Sequence, residues 1–183
     1  MNKNVPNILT IARIIMVPFV ILFYYLQIPY WNYYAGALFI IASLTDMLDG
    51  MIARKYNLVS NFGKLMDPMA DKVLAMAALI ILLDWSKLGK YGSVVVIILL
   101  AREFLISGVR LIAAAEGVVI AAGQVGKWKT ICQMVGISFS LLGNPIFAIW
   151  NIPFGEILIY LSTILSICSC VEYIYNSRDL LKG

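Results

Sequence analysis

The chain has 183 residues, 62% of them hydrophobic and 13% charged, with a mean hydropathy of +0.89, a net charge of +4 and no histidine. A soluble domain is about half apolar and about a quarter charged, so this composition excludes an ordinary water-soluble globule and points to a bilayer. Without histidine there is no Ser-His-Asp triad, no H-E-x-x-H zinc site and no imidazole base, and any chemistry falls to carboxylates, hydroxyls, lysines and arginines.

The chain opens with a mixed polar and apolar stretch over 4–12, which reads as a short helix lying in the membrane interface. Six apolar segments follow at 11–27, 33–53, 68–83, 92–115, 131–149 and 153–175, each long enough to approach the ~30 Å thickness of a hydrocarbon core. Lipid offers the backbone no hydrogen-bond partner, so segments of this kind must be helices. The expected fold is all-α: a polytopic membrane protein with six transmembrane helices and a short N-terminal interfacial helix, in a single domain over 1–183. Lys3 before the first apolar run imitates a signal peptide, but no small-residue cleavage site follows, and the segment reads as retained. Cys132, Cys168 and Cys170 lie in apolar runs with neither zinc-site nor disulfide-framework spacing.

With six spans, both termini and the loops after the second and fourth spans share one face. Lys3, Arg13, Arg54, Lys55, Lys64, Lys127, Lys129, Arg178 and Lys182 fall there, against only Lys87 and Lys90 opposite. The positive-inside rule then places both termini in the cytoplasm of a cell membrane. Tyr24, Tyr25, Tyr30, Trp31, Tyr33 and Tyr34 gather at the first external turn, as an aromatic belt would. Lys72, Arg102 and Arg110 are left on or within spans.

Four of the ten acidic residues, Asp46, Asp49, Asp67 and Asp71, fall between the end of the second span and the start of the third. A carboxylate inside a span costs at least ~2.5–3.5 kcal/mol, so four of them call for a compensating partner, most simply a divalent cation. Asp46 and Asp49 are three residues apart and Asp67 and Asp71 four apart, spacings that put each pair on one helix face. An all-oxygen donor set suits Mg²⁺ or Mn²⁺, and four carboxylates can hold one ion or two about 3.5–4 Å apart, as in phosphoryl transfer. Singly, each residue has a plainer reading: Asp67 before Pro68 is a good helix N-cap, Asp46 and Asp49 can reach interfacial water, and Arg54 and Lys55 can be anchors. None of these explains the joint pattern.

The run Asp46-x-x-Asp49-Gly50-x-x-Ala53-Arg54, eight residues, then Gly63-x-x-x-Asp67-x-x-x-Asp71 matches in full the signature of the CDP-alcohol phosphotransferase family, and the chain resembles that family over its whole length. The resemblance implies an enzyme that moves a phosphoryl-linked group from a CDP-linked donor, usually CDP-diacylglycerol, to an alcohol, releasing CMP. It implies metal ligation by Asp46, Asp49, Asp67 and Asp71, a pair of Mg²⁺ or Mn²⁺ ions, and Asp71 as general base. It also implies donor contacts from Ser60 and from the Asn7-x-x-Thr10-x-x-Arg13 run; Asn7 and Thr10 can equally be helix caps. Gly50 would let the nucleotide approach the helix backbone, and Arg54 would offer a phosphate a bidentate fork. No residue presents an activated nucleophile, which favours direct in-line attack over a covalent route. Homodimers are common in the family, membrane lipids are the other implied partners, and no nucleic acid is implied.

The acceptor is read from cations outside this motif. Arg102 and Arg110 lie eight residues apart, about two helical turns, so both can face one cavity. Lys127 and Lys129 stand before the fifth span and Lys64 beside the second carboxylate pair. Such a basic cluster suits a phosphorylated acceptor. Arg102-Glu103-x-x-Ile106-Ser107-x-x-Arg110 and Gly126-Lys127-x-Lys129-Thr130 resemble the branch of the family whose acceptor is sn-glycerol 3-phosphate. Two plainer readings stay open: Arg102 can pair internally with Glu103 or Glu116, and Lys127 and Lys129 can be interfacial anchors. Within the family, inositol phosphate or phosphatidylglycerol acceptors are the rival readings. A cation-coupled transporter is the rival outside it, though its carboxylates would sit at the membrane midplane.

Overall fold

The computed structural model describes residues 5–56, 61–115, 117–118 and 123–177, with side chains described at all of these except 5–10, 46–56, 61–68, 71 and 115. Six helices make up the fold: α1 (Val5–Leu26), α2 (Trp31–Tyr56), α3 (Asn61–Asp84), α4 (Gly92–Ala115), α5 (Gln124–Leu141) and α6 (Phe154–Asn176), with a 3₁₀ turn at Ala148–Trp150. No strand occurs among the described residues. At about 1.5 Å per residue α1 to α4 and α6 are roughly 33–39 Å long and α5 about 27 Å.

Three expected boundaries need correction. The separate interfacial helix over 4–12 is not found: α1 runs unbroken from Val5 to Leu26. No glycine or proline lies between Asn7 and Val17, so nothing in that stretch interrupts the helical ladder. Helix α3 starts at Asn61, so Asp67 sits in its second turn and cannot be the N-cap of the helix. The fifth helix spans Gln124–Leu141 rather than 131–149, because the chain turns through Gly143 at φ +76° and Asn144 at φ +55° ahead of Pro145. The apolar run Ile146 to Trp150 that extended the expected span is an exposed turn. Helix α4 has the expected bounds, and Gly117 at φ +76° closes it, with the Val118 N–H bonding the Ala113 carbonyl at 2.8 Å.

Helix α1 packs on α2 and α3, α4 and α5 pack on α6, and α5 also meets α2 and α3. Val20, Phe39, Leu74, Leu82, Leu99, Ile137 and Ile159 are fully buried where these faces meet. The α5–α6 seam is close enough that a Cβ on Gly155 would stand 2.7 Å from the Gly136 carbonyl oxygen. Small residues permit that approach, as at helix seams within lipid. Asn144 fixes the entry to α6: its Oδ1 accepts the Gly155 N–H at 2.8 Å, and its Nδ2 donates to Glu156 Oε2 at 3.0 Å. At the far end of α1 the Tyr24 hydroxyl donates to Asp84 Oδ2 at 2.6 Å, and the Trp31 ring lies 5.0 Å from Tyr24 and 4.7 Å from Trp85.

The bundle differs from a soluble domain in its apolar surface and in a polar minority within its apolar interior. Phe104, Leu111, Ile97 and Ile164 are each 60% or more exposed, whereas Lys129, Gln133, Ser140, Ser162, Thr163, Ser166 and Ser169 are buried. Many hydroxyls bond their own helix: Ser162 and Thr163 donate to the Ile159 carbonyl and Ser169 to that of Ser166. Among the described residues, Phe154–Asn176 is the helix that is long and apolar enough to cross a membrane, and Ile11–Leu26 is a shorter apolar stretch within α1.

Candidate active site

Helices α2 and α3 carry the four aspartates. Asp46 and Asp49 lie within continuous α2, and Asp67 and Asp71 within continuous α3, so the helical register that the spacing requires is present. The side chains of all four, and those of Asn7, Thr10, Arg54 and Lys64, lie outside the described residues, as do the surroundings of Gly50 and the whole of Ser60 and Glu116. Among the described residues no cluster of three or more acidic, cysteine or histidine side chains could hold a metal ion. The donor set that α2 and α3 supply in sequence, carboxylates alone, is of the kind that fits a hard divalent cation.

One residue beyond Asp71, α3 borders a cavity of about 220 Å³ that it shares with α4 and α5. Lys72, Glu103, Arg110, Lys129 and Gln133 supply its polar wall, and Leu79 and Leu99 are among the residues that make its apolar floor. Among the described residues, three helices therefore bring three cations and one carboxylate to a single small space. Glu103 Oε1 accepts from Lys129 Nζ at 2.5 Å and from Arg102 NH1 at 3.0 Å. Arg102 stands behind this wall, its NH2 donating to Ser169 Oγ on α6 at 3.0 Å. Gly126 makes room for that guanidinium, since a Cβ there would lie 3.3 Å from NH2. Arg110 is at the open side, its Nε donating to the Tyr173 hydroxyl at 3.3 Å and its guanidinium 5.6 Å from the Tyr173 ring. Lys72 donates to Ser107 Oγ, and the Ser107 hydroxyl in turn donates to the Glu103 carbonyl oxygen at 2.5 Å.

Of the cations singled out in sequence, Arg110 and Lys129 reach the cavity. Arg102 pairs with Glu103, one of the two internal partners its sequence left open. Lys127 is exposed and does not line the space. One residue of the cavity, Lys72, stands outside the cluster that the sequence points to, although its place directly after Asp71 is a usable signal. Arg13, which the sequence offers both as a cytoplasmic cation and as the end of the Asn7-x-x-Thr10-x-x-Arg13 run, is 1% exposed and lies inside the protein.

Comparison with known proteins shows the family. Residues 3–168 match the family described as CDP-alcohol phosphatidyltransferase. A protein of Bacillus subtilis (strain 168) named "CDP-diacylglycerol--glycerol-3-phosphate 3-phosphatidyltransferase" is 38% identical over 191 residues, covering 98% of this chain and 97% of its own. Proteins of the same name from Rickettsia bellii (strain RML369-C) and from Haemophilus influenzae (strain ATCC 51907 / DSM 11121 / KW20 / Rd) are 40% and 36% identical. The first alignment covers 94% of each chain, the second 99% of this chain and 97% of the relative. The family match takes in most of the chain and the relatives align over nearly its full length, and the chain belongs to the CDP-alcohol phosphatidyltransferase family.

Proposed function

We propose that this chain transfers the phosphatidyl group of CDP-diacylglycerol to sn-glycerol 3-phosphate, releasing CMP and forming phosphatidylglycerophosphate. The observation that carries the acceptor is the small cation-lined cavity one residue past Asp71 on α3: a neutral alcohol has no need of it, a phosphate has. Near-full-length likeness to relatives named for that reaction supports the same reading.

In this reading Asp46, Asp49, Asp67 and Asp71 hold two Mg²⁺ or Mn²⁺ ions. When bound, such ions neutralise charge on the donor pyrophosphate and on departing CMP. Asn7, Thr10, Gly50, Arg54 and Ser60 bind the CDP part of the donor. Arg110 and Lys129 hold the acceptor phosphate, Arg102 steadies the wall through Glu103, and Lys64 and Lys127 contribute positive charge nearby. The Asp71 carboxylate takes the proton of the acceptor's primary hydroxyl as that oxygen attacks the phosphatidyl phosphorus in line. The bond from phosphorus to the bridging oxygen then breaks, and CMP leaves with the electron pair.

The apolar surface of the bundle supports a place in the cell membrane, with all six helices crossing it. The charge asymmetry of the loops supports cytoplasmic termini and a cytoplasmic active site. The whole of 1–183 is then one membrane domain among lipids, and the homodimer common in the family is its assembly. The test is CMP release by detergent-purified protein given CDP-diacylglycerol, Mg²⁺ or Mn²⁺, and each acceptor in turn. Release with glycerol 3-phosphate is expected. Release with inositol phosphate and not glycerol 3-phosphate would overturn the acceptor, and no release with any alcohol would overturn the reaction.

A further inference from the structure

We propose that Lys72 is a specificity-determining residue for the acceptor: its ammonium, held at the cavity wall by Ser107, binds the acceptor's phosphate. The inference rests on the transfer reaction proposed above and adds to it a residue that the basic-cluster reading passed over.

A serine hydroxyl has one proton, and that of Ser107 is used on the Glu103 carbonyl oxygen at 2.5 Å, so toward Lys72 the hydroxyl can only accept. An ammonium has three N–H donors. Ser107 takes one, and no other hydrogen bond from Lys72 occurs among the described residues. Two donors are left to a group that lines the cavity.

Charge gives the chemistry of what they bind. Among the described residues the ion pairs of this region are Arg102–Glu103 and Lys129–Glu103, and no carboxylate stands within ion-pair distance of Lys72. Among the described residues Glu103 is the carboxylate of the wall and is shared by Lys129 and Arg102, while Lys72 and Arg110 form no ion pair there. A cation within a membrane-embedded helix is costly without an anion, and a phosphate dianion supplies the missing charge. Ser107 does not neutralise Lys72. It holds the ammonium at the wall, so less rotamer freedom is lost when a phosphate arrives.

Position gives the consequence for specificity. Lys72 directly follows Asp71, so the proposed base and this phosphate anchor ride on one rigid turn of α3. In glycerol 3-phosphate the phosphate and the free primary hydroxyl lie at opposite ends of a three-carbon chain. Anchoring the phosphate at Lys72 therefore selects which hydroxyl can be presented to the base.

The experiment compares wild type with Lys72→Met, which keeps the apolar stem, Lys72→Arg, which keeps the charge, and Ser107→Ala. Lys72→Met should raise KM for glycerol 3-phosphate by about tenfold or more, while KM for CDP-diacylglycerol stays within about twofold. Its preference for glycerol 3-phosphate over glycerol should fall by a similar factor. Lys72→Arg should restore most of the difference, and Ser107→Ala should lie between. Independently of turnover, inorganic phosphate should raise the thermal midpoint of the wild type at about tenfold lower concentration than that of Lys72→Met. An unchanged KM for glycerol 3-phosphate, an equal rise for both substrates, or the same phosphate shift in wild type and variant would overturn the inference. Should Lys72→Met not fold, Lys72→Arg and Ser107→Ala decide it on the same readouts. A wild type that makes no CMP with glycerol 3-phosphate would refute the transfer reaction instead, and the phosphate shift would still judge Lys72.

Discussion

Replacing Glu103 by alanine removes the one carboxylate that two cations of the cavity wall share, Lys129 at 2.5 Å and Arg102 at 3.0 Å. The Glu103 side chain is 17% exposed, that of Arg102 12% and that of Lys129 3%, so water compensates little. Breaking a buried ion pair costs about 3–5 kcal/mol. Arg102 keeps its bond to Ser169 Oγ, which places the expected loss near the lower end, about 3 kcal/mol. For a chain of this length that is roughly 6–12 °C in the thermal midpoint. The assay is thermal unfolding of Glu103→Ala in detergent, with and without inorganic phosphate. Because a phosphate in the cavity supplies negative charge where the carboxylate stood, added phosphate should recover part of the loss, and by more than it stabilises the wild type. A midpoint within about 1 °C of wild type, or a loss that phosphate does not reduce, would refute Glu103 as the counter-charge of this wall.

Other perturbations separate the remaining parts. Asp71→Asn should lower CMP release by about 10²–10⁴-fold, the usual share of a general base, with an unchanged thermal midpoint; retained turnover would remove Asp71 from that role. Arg110→Ala should raise KM for glycerol 3-phosphate by about tenfold with little effect on that for CDP-diacylglycerol, and equal acceptor dependence in titrations would count against the basic pocket. Gly155→Val places a branched side chain where a Cβ already meets the Gly136 carbonyl oxygen at 2.7 Å. It should cost about 1–3 kcal/mol or more, read as a lower thermal midpoint and a loss of monodisperse protein on size exclusion.

The readable part of the site was the part written in local spacing. Asp46, Asp49, Asp67 and Asp71 declare themselves because helical register follows directly from sequence separation, and α2 and α3 are continuous where that register needs them. Arg110 and Lys129 could be singled out because charge inside an apolar run is rare. The place of Lys72 at the cavity and the burial of Arg13 are not legible in this way, since whether a cation faces cavity, core or interface depends on how its helix is rotated against the others. Hydropathy also failed to find the end of α5. Ile146, Phe147, Ile149 and Trp150 are as apolar as a span, yet they follow Gly143 and Asn144, whose positive φ ends the helix. An apolar turn and an apolar helix have the same composition, and only the turn residues tell them apart.

The two sides of α5 are held by forces of different kinds. Toward α6 it is fixed by backbone shape at Gly136 and Gly155. Toward α4 it is tied by Lys129 through Glu103. Shape contacts are indifferent to ionic strength, whereas a charge tie beside a cavity open on one side is not. Salt should therefore act on this helix as a one-sided lever, leaving its hinge on α6 in place while easing its grip on α4, and the space that changes between them is the cavity proposed for the acceptor.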